Sequence, residues 1–234
     1  MATLEWKTPR GNRIKLLTRD GTNDWNTMSS IITHDEYDLA KLPRLSGTAL
    51  DIGGYLGGVG AVLAIDNPGL QVVIVEPVPD NVEMIHQLLA LNGLASRVEV
   101  IAGAVGGPAD PSELEVAYGF WGSETATHHR FVGNSSMPGL APPQCLTKLV
   151  PRWTLSALLA RVGPVVFAKV DCEGGEFGFL SEQTANAQVA TIHGEWHPVQ
   201  GKTQADFLAL LQGTHRVEFT GPVAGPGGFI AHRL

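Results

Sequence analysis

The stretch Leu50-Asp51-Ile52-Gly53-Gly54-Tyr55-Leu56-Gly57 sets the fold. A short apolar run, Thr48 to Ile52, carries Asp51 near its end and opens into the glycine-rich segment Gly53 to Gly60. Ala61 to Ile65 reads as the start of a helix, stopped by Asn67-Pro68-Gly69. Gln71 to Val75 is short, β-branched and bounded by turn signals, which predicts a buried strand. Asp80 can cap a following helix whose apolar positions are Val82, Ile85, Leu88, Leu89 and Leu91, closed by Asn92-Gly93. Val98 to Ala102 is the next strand. The order β-α-β-α-β predicts a parallel sheet with right-handed crossovers.

Outward from this block the rhythm breaks and resumes. Gly106 to Arg152 is rich in Gly, Pro and Ser, with Phe120-Trp121 and His128-His129. A long irregular segment inside a compact domain tends to be functional. It reads as a strand or two followed by a lid or substrate loop. Thr154 caps a helix through Leu155, Leu158, Leu159 and Val162, ended by Gly163-Pro164. Strands are expected over 165–170 and 189–193. A helix capped by Thr203 is expected over 204–211, and then a closing hairpin from Arg216–Phe219 and Gly228–His232. Residues 1–47 read as an extension packed on the core, with a hairpin around Pro9-Arg10-Gly11-Asn12 and a partly helical Asn23 to Leu42. Residues 48–234 form the main domain, with 106–152 as its loop-rich insertion.

The chain has 234 residues and a net charge of -7, from 16 Lys+Arg against 23 Asp+Glu, and 44% of it is hydrophobic. That supplies a core and argues against global disorder. The acidic balance argues against a nucleic-acid backbone as main partner. Two cysteines, Cys145 and Cys172, make no disulfide framework and no C-x-x-C zinc pair. Met1 to Arg13 is polar, without the apolar stretch of a signal peptide, and no run approaches a membrane span. The expectation is a cytoplasmic protein with no membrane partner. Oligomeric state stays open, a homo-oligomer included.

A glycine turn between strand and helix lets the backbone bend sharply, admits a ligand close to it, and exposes free N–H groups at the helix end. A dinucleotide needs G-x-G-x-x-G there. No register of Gly53, Gly54, Gly57, Gly58 and Gly60 supplies all three glycines. S-adenosylmethionine (SAM) carries no phosphate and accepts a looser acid-x-Gly-x-x-x-Gly turn, here Asp51, Gly53 and Gly57. Glu76 ends the next strand, where a carboxylate can accept hydrogen bonds from two ribose hydroxyls.

These residues resemble the FkbM family of SAM-dependent methyltransferases. The matching segments are L-D-I-G-G-Y-L-G at 50–57, V-E-P-V-P-D-N at 75–81 with Leu91-Asn92-Gly93, K-V-D-C-E-G-G-E-F-G-F-L at 169–180, and Glu195-Trp196-His197. The specific part is D-x-E-G-x-E followed by E-x-H. The resemblance implies a Rossmann-like α/β class I methyltransferase with a mostly parallel seven-stranded sheet and a C-terminal antiparallel hairpin strand. It implies methyl transfer, mainly to oxygen, on sugars or secondary metabolites, as in natural product biosynthesis. It places Asp51, Gly53, Tyr55, Gly57, Glu76, Asn81, Ala104 and Asp171 around SAM. The family commonly has Asn where Tyr55 stands, and Tyr55 either fills that space or covers the cofactor.

Asp171, Glu173 and Glu176 follow one expected strand, and Glu195 and His197 the next. On neighbouring strands they share the crevice where open α/β sheets bind ligands. A small hydroxylated acceptor must lose its proton near the transition state. His197 is the first choice of base, with Glu195 orienting it and Asp171 the alternative. Asp171, Glu195 and His197 also offer hard ligands for Mg²⁺ or another divalent cation, which would acidify the hydroxyl. Glu173, Trp121 and Trp196 are candidate walls of the acceptor pocket. Glu176 reads equally as a helix-opening carboxylate, and His193 as a core residue. The competing functions are a nicotinamide-dependent oxidoreductase or epimerase and a non-catalytic SAM-binding module.

Overall fold

The computed structural model describes residues 1–118, 120–121, 126–127, 130–131, 146–199, 201–220 and 226–234. The chain opens with a hairpin, β1 (Ala2–Lys7) and β2 (Arg13–Thr18), then α1 (Asp24–Thr33) and a short turn of 3₁₀ helix at Leu39–Lys41. The core follows as β3 (Gly47–Ile52), α2 (Gly58–Asp66), β4 (Leu70–Glu76), α3 (Pro79–Leu91), β5 (Val98–Ala102) and β6 (Ala104–Val105). Next come β7 (Glu113–Tyr118), β8 (Phe120–Trp121), β9 (Ala126–Thr127), β10 (Arg130–Phe131) and β11 (Leu146–Trp153). The remainder is α4 (Leu155–Val162), β12 (Phe167–Val170), α5 (Glu176–Phe179), α6 (Gln183–Asn186), β13 (Thr191–Trp196), α7 (Gln204–Leu211), β14 (His215–Thr220) and β15 (Gly227–Arg233).

Seven strands form one sheet in the order β14-β15-β13-β12-β3-β4-β5. The pairs β13–β12, β12–β3, β3–β4 and β4–β5 are parallel. β15 runs antiparallel to both β13 and β14, so it is the sheet's one reversed strand. This is the mostly parallel seven-stranded sheet with an antiparallel C-terminal strand expected from the sequence.

Alternation along the central strands sorts side chains onto two faces. Ala49, Val72 and Ile74 join the cluster with α2, α3, β2 and α1, where Met28, Ile31, Val59, Val62 and Leu88 are buried. Leu50, Ile52, Val73 and Val75 join the opposite cluster, with Leu158 of α4 and Phe207 of α7. Both faces are therefore covered, which is why the central strands read as continuous apolar runs. The 1–47 stretch contributes Ile14, Leu16 and Met28 to the first cluster. Asn92 also clasps β2, bonding Lys15 N and Lys15 O at 2.9 and 2.8 Å.

Several boundaries differ from the sequence reading. α2 starts at Gly58, three residues before Ala61, because Asp51 Oδ2 accepts the Gly60 N–H at 2.8 Å and supports the first turn. α3 is opened by Pro79 behind Val78, not capped by Asp80. A proline costs nothing at a position whose N–H has no helical partner, and Asp80 sits in the first turn. β13 runs to Trp196 and so contains Glu195. The 106–152 stretch holds more strand than the one or two expected: β7, β11 and β10 join β6 in a second sheet, ordered β10-β7-β11-β6. The alternation Glu113-Leu114-Glu115-Val116 carried that signal, since Leu114 and Val116 pack with Val78, Ala104 and Val150.

Candidate active site

The turn after β3 is drawn tight against its neighbours. The N–H groups of Gly53 and Gly54 donate to Val75 O at 3.0 and 3.1 Å. Gly53 has φ +72°, and a Cβ there would stand 1.8 Å from the Asp171 carbonyl oxygen. The glycine is thus demanded by the β12 terminus. The sequence implied a glycine here for a sharp bend and for ligand approach; the positive φ meets the first, and the Asp171 backbone adds a third reason. Asp51 is fully buried beneath the loop, between Gly60 N and Lys169 Nζ, the latter 3.7 Å away.

Tyr55, at φ +50°, gives its N–H to Glu76 Oε2 at 2.8 Å. Glu76 Oε1 accepts from Val78 N at 2.9 Å and Asn81 Nδ2 at 3.2 Å. Ala104 is buried beside Val78, and Gly103 N donates to Glu76 O at 3.1 Å. Asp51, Gly53, Tyr55, Gly57, Glu76, Asn81 and Ala104 thus gather at the carboxyl ends of β3, β4 and β5. The Tyr55 ring turns away from Glu76, and its hydroxyl donates to Asp24 Oδ1 at 2.5 Å.

The carboxyl ends of β12 and β13 carry the acidic group. Glu176 is fully buried and organises the turn after β12: Oε1 accepts Cys172 N at 2.8 Å, Oε2 accepts Gly174 N at 3.0 Å. His197 Nδ1 donates to the same Oε1 at 3.1 Å. His197 Nε2 faces Glu173 and Glu195 at 3.6 Å each and Asp171 at 4.0 Å. Burial alone would lower the imidazole's pKa, but the Glu176 hydrogen bond and the surrounding carboxylates push it up to about 10. At neutral pH His197 is a cation with no lone pair to offer, so this geometry gives it a poor base. Partial desolvation and the neighbouring acids push Glu173 up to about 7 and also raise Glu195. The crevice is open: the side chains of Glu173, Glu195 and Asp171 are 43%, 32% and 22% exposed.

Lys169 lies under both halves of the site. Its ammonium donates to Gly53 O at 2.6 Å and Ile52 O at 3.2 Å, and stands 3.7 Å from both Asp51 and Asp171. Burial would discharge it, but Asp171 and Asp51 hold its pKa above the usual lysine value. Nothing in the K-V-D-C motif itself marks Lys169 for this place.

The reading also missed the contribution of the N-terminal segment. Tyr37 Oη donates to Asp171 Oδ2 at 2.8 Å, and His193 Nδ1 meets Tyr37 O at 2.6 Å. The Tyr37 ring lies 5.4 Å from Lys169 Nζ. Its neighbour Glu36 is exposed, yet partial desolvation and the charges of Glu195 and Asp171 push its carboxyl up to about 7. The only sequence signal was the acidic run Asp35-Glu36-Tyr37-Asp38, which resembles any solvated turn.

Trp196 is a correction. As its neighbours Glu195 and His197 turn to the crevice, it points to the other face, where it is 2% exposed and packs 6.3 Å from Phe207. It is core and does not wall the acceptor pocket. The Trp121 side chain and His128-His129 lie outside the described residues. Burial pushes the Cys172 thiol well above its ordinary pKa, which leaves it no nucleophilic thiolate.

A Rossmann-like sheet with a non-dinucleotide glycine turn, an acid closing the second strand and an acidic crevice defines a methyltransferase of the SAM-binding class. The methyltransferase FkbM domain matches residues 51–217, and the chain belongs to that family. It is similar over 60 residues, at 43% identity, to ribosomal RNA small subunit methyltransferase C of Aeromonas hydrophila. That match spans 26% of this chain and 18% of the relative. Among solved structures it is similar to a precorrin-6y C5,15-methyltransferase from Geobacter metallireducens, with TM-score 0.49, 10% identity and 93% of each chain covered. It is also similar to a predicted O-methyltransferase from Agrobacterium tumefaciens, with TM-score 0.42, 14% identity, 82% of this chain and 76% of that one. Among the described residues no helix is long and apolar enough to cross a membrane.

Proposed function

We propose that this methyltransferase transfers the SAM methyl group to a hydroxyl oxygen of a small acceptor, a sugar or secondary-metabolite scaffold. The observation that carries the reading is the open acidic crevice of Asp171, Glu173 and Glu195 around His197, beside the glycine turn. The residues fit the cofactor: Glu76 is a buried acceptor at the strand end that suits a ribose diol, and the acids suit a cationic sulfonium. SAM supplies a methyl group on a sulfur that is already a good leaving group. The protein's task is then alignment and proton removal.

Asp51 stays behind the loop and fixes the start of α2. Asp171, held by Tyr37 and Lys169, and Glu195 receive acceptor hydroxyls. Glu36 and Glu173, with carboxyls near 7, are matched to take the proton at neutral pH. His197 balances the negative charge of Asp171, Glu173 and Glu195. A divalent cation would compete with the His197 proton for the same place; Asp171, Glu173 and His197, with Glu173 in the position expected for Glu195, offer donor atoms within 4.8 Å of one another.

The test is methyl-labelled SAM incubated with sugars, phenols and other hydroxylated secondary metabolites, and in parallel with ribosomal RNA. Label in an ether linkage on a small acceptor supports the reading. Label on RNA, or only on nitrogen, overturns it.

A further inference from the structure

Tyr55 holds a left-handed backbone, φ +50°, inside the donor-binding loop. Non-glycine residues other than Asn and Asp adopt this region only at an energetic cost. The conformation persists because both ends of the residue are tied. Its N–H is bound by Glu76 Oε2 at 2.8 Å. Its hydroxyl is bound by Asp24 Oδ1 at 2.5 Å, and its ring packs against the first core cluster. Asp24 in turn is fully buried and fixed by Arg19, with Nε on Oδ2 and Nη2 on Oδ1 at 2.9 Å each, and the Arg19 N–H on Oδ2 at 2.8 Å. Burial would raise the Asp24 pKa, but the bonds from Arg19 and Tyr55 carry it below the ordinary value, so it stays an anion. The Arg19 guanidinium also lies 5.9 Å from the Tyr55 ring.

We propose that Arg19, Asp24 and Tyr55 are positioning residues for the methyl donor, through which the N-terminal segment sets the loop against Glu76. None of the three needs to touch the donor. The triad fixes where the Tyr55 N–H stands, and that N–H orients the Glu76 carboxylate. Tyr55 thereby holds the strained turn through its tie to Asp24 of the docked extension. The inference rests on the reading of Glu76 as the ribose acceptor.

The test uses the intact chain and S-adenosylhomocysteine as probe, by isothermal titration of the wild type, Tyr55→Phe, Glu76→Gln and the double variant. The Tyr55→Phe change removes one hydrogen bond to a charged group and is expected to weaken binding about 10-fold. In the Glu76→Gln background it is expected to weaken binding less than about 2-fold, because coupled residues are not additive. A merely structural role gives the same loss in both backgrounds and overturns the proposal, as does an unchanged affinity in the single variant. Tyr55→Asn separates backbone placement from folding: Asn tolerates the turn without the anchor, so it should bind more tightly than Tyr55→Phe although it melts below the wild type, having lost the ring and the bond to Asp24. Binding by Tyr55→Asn no tighter than by Tyr55→Phe overturns the proposal. A Glu76→Gln protein that binds as tightly as the wild type overturns the ribose reading, and the proposal with it; failure in the Tyr55 variants alone leaves that reading standing.

Discussion

The Tyr37 hydroxyl donates to Asp171 Oδ2 at 2.8 Å, joining positions 134 residues apart. One oxygen of Asp171 is thereby occupied, and the other is left to face His197. The Tyr37 phenol is a dependable donor, because burial and the Asp171 charge push its pKa well above the ordinary value. Replacing it with Phe leaves the carboxylate one partner short while keeping the ring beside Lys169. A Tyr37→Phe protein should lose about 1.5–3 kcal/mol of stability, the range for a hydrogen bond to a charged group. Urea denaturation measures this, and an unchanged midpoint would mean that water replaces the phenol.

Glu36 gives the site a pH signature. Its folded pKa, about 7, lies above the unfolded carboxylate value near 4.5. The folded state therefore holds the extra proton between those values, and stability falls as pH rises from about 4.5 through 7. Above pH 7 the ionised group opposes folding, because desolvation and then the charges of Glu195 and Asp171 disfavour it. Glu36→Gln removes that repulsion. Thermal melts should show the variant more stable than the wild type at pH 8 and nearly equal to it at pH 4.5. A shift of the same size at both values would contradict the like-charge environment.

The sheet was legible because its signals are local and repeated. Thr203 and Thr154 cap their helices with side-chain hydroxyls, as their spacing implied. The β-branched runs at 70–76 and 98–102 had no other use. The residues that assemble the acceptor side were legible only as a set. Asp171, Glu173, Glu195 and His197 stand at strand ends, and sequence order alone puts those ends together. Their protonation was not legible, because it depends on Glu176 lying within 3.1 Å of the imidazole. Tyr37, Glu36, Asp24 and Arg19 were hidden for a different reason. They reach the site through tertiary docking of the extension, and a polar turn has no periodicity that reports where it docks. Trp196 misled because an aromatic beside two polar site residues looks like a pocket wall, whereas strand alternation sends it to the other face.

His197 should behave as a structural cation. Its folded pKa of about 10 exceeds the unfolded value near 6.5. The stability it contributes is then fully present below pH 6.5 and is lost as pH rises through 10. In His197→Gln the side chain can still donate to Glu176 but carries no charge. The variant should be destabilised by on the order of 3 kcal/mol at pH 6, as when one partner of a buried ion pair is removed. The gap should close toward pH 10. A pH-independent gap would point to lost packing.

The same imidazolium sets the terms for divalent cations. A cation ligated by Asp171, Glu173 and His197 must displace the Nε2 proton, because only the neutral ring offers a lone pair. Mg²⁺ affinity for this crevice should therefore be weak at pH 7 and tighten as pH rises toward 9, with proton release. Isothermal titration in two buffers of different ionisation enthalpy reads that release directly. His197→Gln should remove the proton release, as the imidazolium that holds the competing proton is gone, whereas Glu173→Gln should weaken Mg²⁺ binding and leave the release in place. Mg²⁺ binding with no proton release would place the ion away from His197, leaving the carboxylates of Glu36 and Glu173 to remove the acceptor proton unaided.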